Sequence, residues 1–121
     1  MPSVIEMRTY KTKAGRRQYF MDILLERLFP IQRQIGMKVL GPFPSVEDAD
    51  TFFWMRGFPD ATARDRMRDE FYEGAIWKDD LQDMLLPILE KYDVVLVEDP
   101  GHLLDAPFWR SFAKGRSAWR Q

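Results

Sequence analysis

Apolar and polar residues alternate along residues 51–58, and this alternation predicts a β-strand with two different faces. One face holds apolar residues and a glycine: Phe53, Met55 and Gly57. The other face holds an arginine among aromatic rings: Phe52, Trp54, Arg56 and Phe58. Because both faces carry large side chains, we expect both to be covered in the folded protein.

The same two-faced pattern occurs at residues 4–10, where Ile5, Met7 and Thr9 alternate with Glu6, Arg8 and Tyr10. Residues 37–43 and the valine-rich residues 93–98 predict two further strands. Pro42 lies within the former, and proline cannot donate to a β-ladder. We therefore predict that this strand lies at an edge or ends there.

Three segments have helical periodicity. The first has apolar residues at steps of three and four: Phe20, Leu24, Leu28, Ile31 and Ile35. Pro30 lies inside it, so a kink or an end is expected near residues 28–29. A second helix should start at Pro59 or Asp60 and bury Ala63, Met67 and Phe71. A third runs through Trp77 and Leu81 up to Pro87.

The element order is strand, helix, strand, strand, helices, strand. This order predicts an α+β, ferredoxin-like βαββαβ fold, a four-stranded antiparallel sheet with helices on one face. The first and third strands are then central neighbours, and their charged and aromatic faces adjoin. We interpret that combined face as the one away from the helices, with Met7, Phe53 and Met55 turned towards them. A bare aromatic surface favours a homodimer packed sheet against sheet, with Glu6, Arg8 and Phe52 at its interface.

Composition narrows the classes of function. The chain has 121 residues, a formal net charge of -1, one histidine and no cysteine. The balanced charge argues against a nucleic-acid partner, and the missing thiols exclude disulfides and thiolate chemistry. The start of the chain lacks the pattern of a secretory signal, and no apolar run approaches the ~20 residues of a membrane span. We expect a cytoplasmic protein without a metal or other cofactor.

Two clusters are candidates for chemistry. Glu6, Arg8 and Arg56 either form an internal ion-pair network or bind an anionic ligand group. A second set of rings either lines a pocket for a small hydrophobic molecule or belongs to the core: Tyr10, Trp54, Tyr72 and Trp77. His102 follows the last strand, where a lone imidazole is either a surface residue or, in the functional alternative, a general base or haem ligand.

Two motifs resemble the NIPSNAP family: Glu-x-Arg-x-Tyr at residues 6–10, and Phe71-Tyr72 followed by Trp77. The resemblance covers about residues 3–99. It implies a protomer of the dimeric α/β-barrel superfamily and no defined reaction. We therefore expect a non-catalytic dimeric interaction module. The alternative is a cofactor-free enzyme or binder acting on a small hydrophobic or anionic molecule, of the monooxygenase, isomerase or cyclase type, with Tyr10, Trp54, Arg56, Tyr72 and Trp77 as ligand contacts.

The predicted domain spans residues 1–99, and residues 100–121 form a C-terminal tail. Pro100, Gly101 and Pro107 interrupt regular structure, yet the tail is too apolar for a free linker. We expect the tail to pack across the partner protomer.

Overall fold

A computed structural model describes residues 3–104 as an antiparallel four-stranded sheet with a layer of helices. The strands are β1 (Ser3–Thr12), β2 (Lys38–Pro44), β3 (Thr51–Phe58) and β4 (Leu89–Asp99). The helices are α1 (Arg17–Ile23), α2 (Phe29–Ile35), α3 (Ala61–Glu73) and α4 (Gln82–Leu85). Two π-helical turns, Leu24–Leu28 and Trp77–Leu81, and a 3₁₀ turn, Leu86–Ile88, complete the helical layer. The predicted α+β ferredoxin-like fold is confirmed.

The strand order is β2-β3-β1-β4, so β1 and β3 are the central pair, as predicted. Their register places Glu6 opposite Arg56 and Arg8 opposite Trp54. β2 lies at an edge, and its pairing with β3 shifts between Leu40 and Phe43, around Pro42. The two charged and aromatic strand faces therefore form one continuous surface.

The first helical segment changes its hydrogen bonding just before Pro30. The π-helical turn Leu24–Leu28 separates α1 from α2, and Pro30 lies in the first turn of α2. A proline lacks the N–H that a continuous α-helix would use, so the interruption falls where the sequence predicts it. Gly36 ends α2 in a left-handed conformation with φ of 116°, which a residue with a Cβ rarely adopts.

Helix α3 begins at an aspartate cap. The side chain of Asp60 accepts a hydrogen bond of 2.7 Å from the backbone N–H of Ala63. The helix then buries Ala63, Met67 and Phe71, as the spacing predicts, and ends before Gly74. This cap fixes where the later residues of α3 meet the sheet.

The prediction of which sheet face the helices cover is wrong. Glu6 contacts Arg64 of α3, and Tyr10 packs edge-on against Phe20 of α1, so this face lies under the helices. Glu6, Arg8 and Phe52 are buried within the protomer and do not lie on the bare side of the sheet. Alternation shows which residues share a face, but both faces here carry large side chains, so it does not show which face the helices cover.

The opposite side, which we call the bare face, is apolar at its centre and carries Thr9, Asp93, Lys11 and Lys91 towards one end. Cross-strand register joins its central residues: Met7, Leu40, Met55 and Val95. Phe53 extends it along β3. Met7 and Val95 are 36% and 50% exposed, and the other three are half-buried. Met7, Phe53 and Met55 therefore lie on the side away from the helices, contrary to the prediction.

The expected packing of the tail on a partner concerns residues that mostly lie outside the described range. The described part ends with a turn in which the carboxylate of Asp99 accepts hydrogen bonds from the N–H groups of Leu103 and Leu104. Across residues 3–104, no helix has the length and apolarity needed to cross a membrane.

Candidate ligand cavity

A cavity of about 380 Å³ lies between the helical layer and the sheet. Its apolar wall comes from helices and helical turns: Phe20, Leu24, Leu28, Phe71, Trp77 and Leu85. Both π-helical turns contribute to this wall, since one carries Leu24 and Leu28 and the other begins at Trp77. π-Helical turns are frequent at functional sites. The volume is within the range of about 300–1,000 Å³ that is usual for small-molecule sites.

The cavity opens towards the β4 side. Leu86 and Tyr92 belong to its lining and are 46% and 61% exposed. Leu86 lies in the 3₁₀ turn before β4, and Tyr92 lies on β4 opposite Tyr10. The solvent-exposed part of the cavity lining therefore includes these two side chains.

One buried carboxylate organises the polar side of the site. Oε1 of Glu6 accepts hydrogen bonds from Nη1 of Arg8, at 2.6 Å, and from Nε of Arg56. Its Oε2 accepts from Nε of Arg64 at 2.7 Å and lies 3.7 Å from Nε of Arg68. The carboxylate therefore joins two strands to helix α3.

These contacts determine the ionisation of Glu6. Burial alone would raise the pKa of Glu6, but the neighbouring guanidinium groups of Arg56, Arg8 and Arg64 lower it to about 2. Burial also raises the pKa of Tyr10 above its ordinary value of 10.0 and outweighs the opposing effect of Arg8. Near neutral pH, Glu6 is an anion and Tyr10 is a neutral phenol.

Two tyrosines are paired with arginines. The hydroxyl oxygen of Tyr10 accepts from Nη2 of Arg8 at 2.7 Å and from its Nε at 3.1 Å. The hydroxyl oxygen of Tyr72 accepts from Nη2 of Arg56 at 3.0 Å. Because each oxygen accepts from a cation, each phenolic proton remains available for donation. The rings also stabilise the cations, since Cζ of Arg8 lies 5.1 Å from the ring centroid of Trp54.

Three residues of the cavity wall carry buried polar groups that have no hydrogen-bond partner within the described residues. These groups are the side-chain amide of Gln32, Nε1 of Trp54 and Nε of Arg68. Gln32 is fully buried, and burying an amide without a partner costs about 1–3 kcal/mol. Such groups are expected where a ligand supplies the missing partners.

Sequence reasoning missed Gln32, Arg64 and Arg68 as site residues. Each had a signal: Gln32 follows Leu24 and Leu28 at steps of four, which is a polar residue in an apolar stripe. Arg64 and Arg68 precede Tyr72 at the same spacing, next to the buried stripe of α3. Helical spacing therefore indicates all three.

The structure brings together most of the predicted ligand residues. Tyr10, Trp54, Tyr72 and Trp77 line the cavity, whereas Arg56 lies behind it and reaches it through Tyr72. That these residues bind a ligand remains a prediction.

The remaining candidate from the sequence, His102, lies elsewhere. His102 is in the turn after β4, where its Nδ1 lies 3.0 Å from the hydroxyl of Ser3. Asp80, on the polar side of the third helical region, pairs with Arg27. Within the described residues, no group of three or more His, Asp and Glu side chains is placed to hold a metal ion.

No protein-family model matches the sequence, and no curated protein matches it. Solved structures do match the fold. A NIPSNAP family protein from Agrobacterium tumefaciens aligns with a TM-score of 0.70 and 21% identity, over 78% of this chain and 90% of that chain. An uncharacterized NIPSNAP domain protein from Burkholderia xenovorans aligns with a TM-score of 0.69 and 21% identity, over 78% and 91% of the two chains.

A more distant match is a Nitrosomonas europaea protein provisionally called an antibiotic biosynthesis monooxygenase. Its TM-score is 0.61 and its identity 12%, over 80% of this chain and 89% of that chain. The chain is therefore an α+β, ferredoxin-like protein with a cavity under its helices. Its fold is NIPSNAP-like, which confirms the resemblance at the level of fold.

Proposed function

We propose that this protein binds a small, largely apolar molecule in the cavity between its helices and its sheet. The observation that carries the proposal is the fully buried, unpartnered amide of Gln32 in the wall of that cavity. A solid core would bury an apolar residue at this position, because an unpartnered amide lowers stability. A ligand that hydrogen-bonds the amide removes that cost.

The sequence favours a non-catalytic interaction module, with a binder or cofactor-free enzyme as the alternative. The two differ in one feature: a module needs only a solid interior, whereas a binder needs a cavity with inward polar groups. The cavity, with Tyr10 and Tyr72 in its lining, supports binding. Any chemistry performed on the ligand is unproven.

Two measurements test binding. Native mass spectrometry of freshly purified protein detects a molecule retained from the cell. Titration with N-phenyl-1-naphthylamine, a neutral apolar fluorophore, measures binding of an added ligand. Leu86→Trp places a larger side chain at the mouth and should weaken uptake of the fluorophore. Leu25→Trp is the matched control, because Leu25 is 49% exposed and does not line the cavity. Absence of both a retained molecule and saturable fluorophore binding, or equal effects of the two variants, would contradict the proposal.

We also propose that two copies pair through the bare face. An apolar sheet surface centred on Met7 is one that a second identical sheet would cover symmetrically. Leu104 packs over Gly57, so that a Cβ added at Gly57 would lie 3.1 Å from Cδ1 of Leu104. The tail therefore starts against this face, which supports its proposed packing on the partner. An unchanged, equally stable dimer in a chain that ends at Asp99 would contradict the role of the tail.

The cytoplasm is the proposed location. The supporting observation is the absence of cysteine from the sequence, because small secreted domains commonly rely on disulfides. Fractionation of the source cells with an antibody against the protein tests this location, and recovery outside the cytoplasmic fraction would contradict it.

A further inference from the structure

Positive charge exceeds negative charge at the polar side of the cavity. Four guanidinium groups lie within 4 Å of the single carboxylate of Glu6: those of Arg8, Arg56, Arg64 and Arg68. Arg8, Arg64 and Arg68 also belong to the cavity lining, whereas no described residue of that lining is an aspartate or a glutamate. Glu6 therefore balances one of four charges and leaves three positive charges beside the cavity.

Among residues 3–104, no other carboxylate near the cluster removes this excess. The carboxylate of Asp65 lies 3.9 Å from Nη1 of Arg64, but its side chain is 74% exposed. An exposed ion pair of that length is weak and is screened by salt. Arg64 and Arg68 are themselves only 19% and 39% exposed, so part of their charge is turned away from water.

The hydrogen-bonding groups of the lining are mostly donors. Nε of Arg64 donates to Glu6, and within the described residues its two Nη atoms make no hydrogen bond. The phenolic protons of Tyr10 and Tyr72 are free to donate, because their oxygens already accept from arginines. In the same part of the chain, Nε1 of Trp54 is a donor without a partner. Gln32 contributes the one amide oxygen that can accept from a ligand.

We infer that the molecule bound here is a carboxylic acid, an apolar or aromatic body with a single carboxylate directed at Arg64 and Arg68. This inference rests on the proposed function. A guanidinium group matches the planar carboxylate in both charge and geometry. The apolar remainder of the wall, with Phe71 and Trp77, suits a body without further charges. One carboxylate lowers the excess of three positive charges. Its single charge lies at the arginines, so the rest of the cavity can remain free of water.

The test compares three ligands of similar size on the full-length protein: 2-naphthoic acid, 2-naphthalenemethanol and 2-naphthylmethylamine. Each is titrated against bound N-phenyl-1-naphthylamine at neutral pH. The acid should displace the fluorophore at a concentration at least about tenfold lower than the alcohol, because a hydrogen bond to a charged group is stronger than a neutral one. The amine should be the weakest of the three, and added salt should reduce the advantage of the acid.

Two variants assign the effect to the arginines. Arg64→Gln should remove most of the preference for the acid, and Arg68→Gln provides a second measurement if the first variant is poorly folded. Arg66→Gln is the matched control, because Arg66 lies on the same helix, is exposed and is absent from the lining. The control should keep the preference.

The outcomes separate the two proposals. Saturable fluorophore binding with equal displacement by acid and alcohol would overturn the carboxylate inference and leave the proposed function standing. Failure of the fluorophore to bind would contradict the proposed function itself. An undiminished preference for the acid in both folded variants would overturn the assignment to Arg64 and Arg68.

Discussion

Arg56 and Glu6 lie directly opposite each other on the two central strands, and Nε of Arg56 donates a hydrogen bond to the Glu6 carboxylate. Both side chains are fully buried. A buried ion pair does not by itself stabilise a protein strongly, but removing one partner is costly, because the other charge is left without compensation. Here the Glu6 carboxylate is the counter-ion of four guanidinium groups, so its removal should lower the stability of the protein strongly.

Replacing Glu6 by glutamine is therefore expected to destabilise the protein. The amide keeps the shape of the side chain but leaves the buried Arg56 without its counter-ion. We expect the free energy of unfolding to fall by roughly 3–5 kcal/mol, measured by urea denaturation. Glu70→Gln is the control, because Glu70 is exposed on α3 and should change stability by less than about 0.5 kcal/mol. If Glu6→Gln lowered the free energy of unfolding as little as Glu70→Gln does, the arginine cluster would not depend on the Glu6 carboxylate.

The same carboxylate predicts the acid dependence of stability. The pKa of Glu6 is lowered from its ordinary value of 4.5 to about 2. Its contribution is thus fully present above pH 4.5 and is lost as the pH falls from 4.5 towards 2. This lowering of the pKa corresponds to roughly 3 kcal/mol in the free energy of unfolding.

Urea denaturation of the native protein and of Glu6→Gln, from neutral pH to about pH 2, measures this dependence. The stability difference between the two proteins should be constant above pH 4.5 and should shrink below it. A difference that stays unchanged down to pH 2 would contradict the lowered pKa of Glu6.

The element order, the two central strands and the pairing of their charged faces could be predicted from sequence, because these follow from periodicity and topology. The side of the sheet that the helices cover could not. Arginine and glutamate usually lie at the surface, and no local pattern shows that Arg64 approaches from α3 to neutralise Glu6. That contact joins residues far apart in the chain.

The candidate site was partly predictable for a similar reason. Tyr10, Trp54, Tyr72 and Trp77 are recognisable as large amphipathic side chains. The cavity between them depends on the volume left unfilled by side chains from several elements. Two π-helical turns contribute to that wall, and alternation and helical spacing do not predict such turns. Gln32, in contrast, occupies a core position of a visible apolar stripe.

Replacing Gln32 by leucine should stabilise the protein and weaken ligand binding. The change removes an unpartnered buried amide, so the free energy of unfolding of the ligand-free protein should rise by about 1–3 kcal/mol. Gln34→Leu is the control, because Gln34 is exposed on the same helix. Thermal and urea denaturation give stability, and fluorophore titration gives affinity. A destabilised Gln32→Leu variant would indicate that the amide is satisfied in the free protein.

The bare face predicts how the protein associates. Val95 lies on β4 beside Met7 and is 50% exposed, so Val95→Lys should fold, because the lysine can reach water in the monomer. In a dimer packed through this face, the new charges on the two copies would be brought into an apolar interface, at a cost of several kcal/mol. We expect the native protein to be dimeric at micromolar concentration and Val95→Lys to be monomeric, measured by analytical ultracentrifugation. Val46→Lys is the control, because Val46 is fully exposed in the β2–β3 loop, away from the bare face. A dimer that persists in Val95→Lys would show that the two copies do not pair through the bare face. A monomeric native protein would show that solvent covers this side of the sheet.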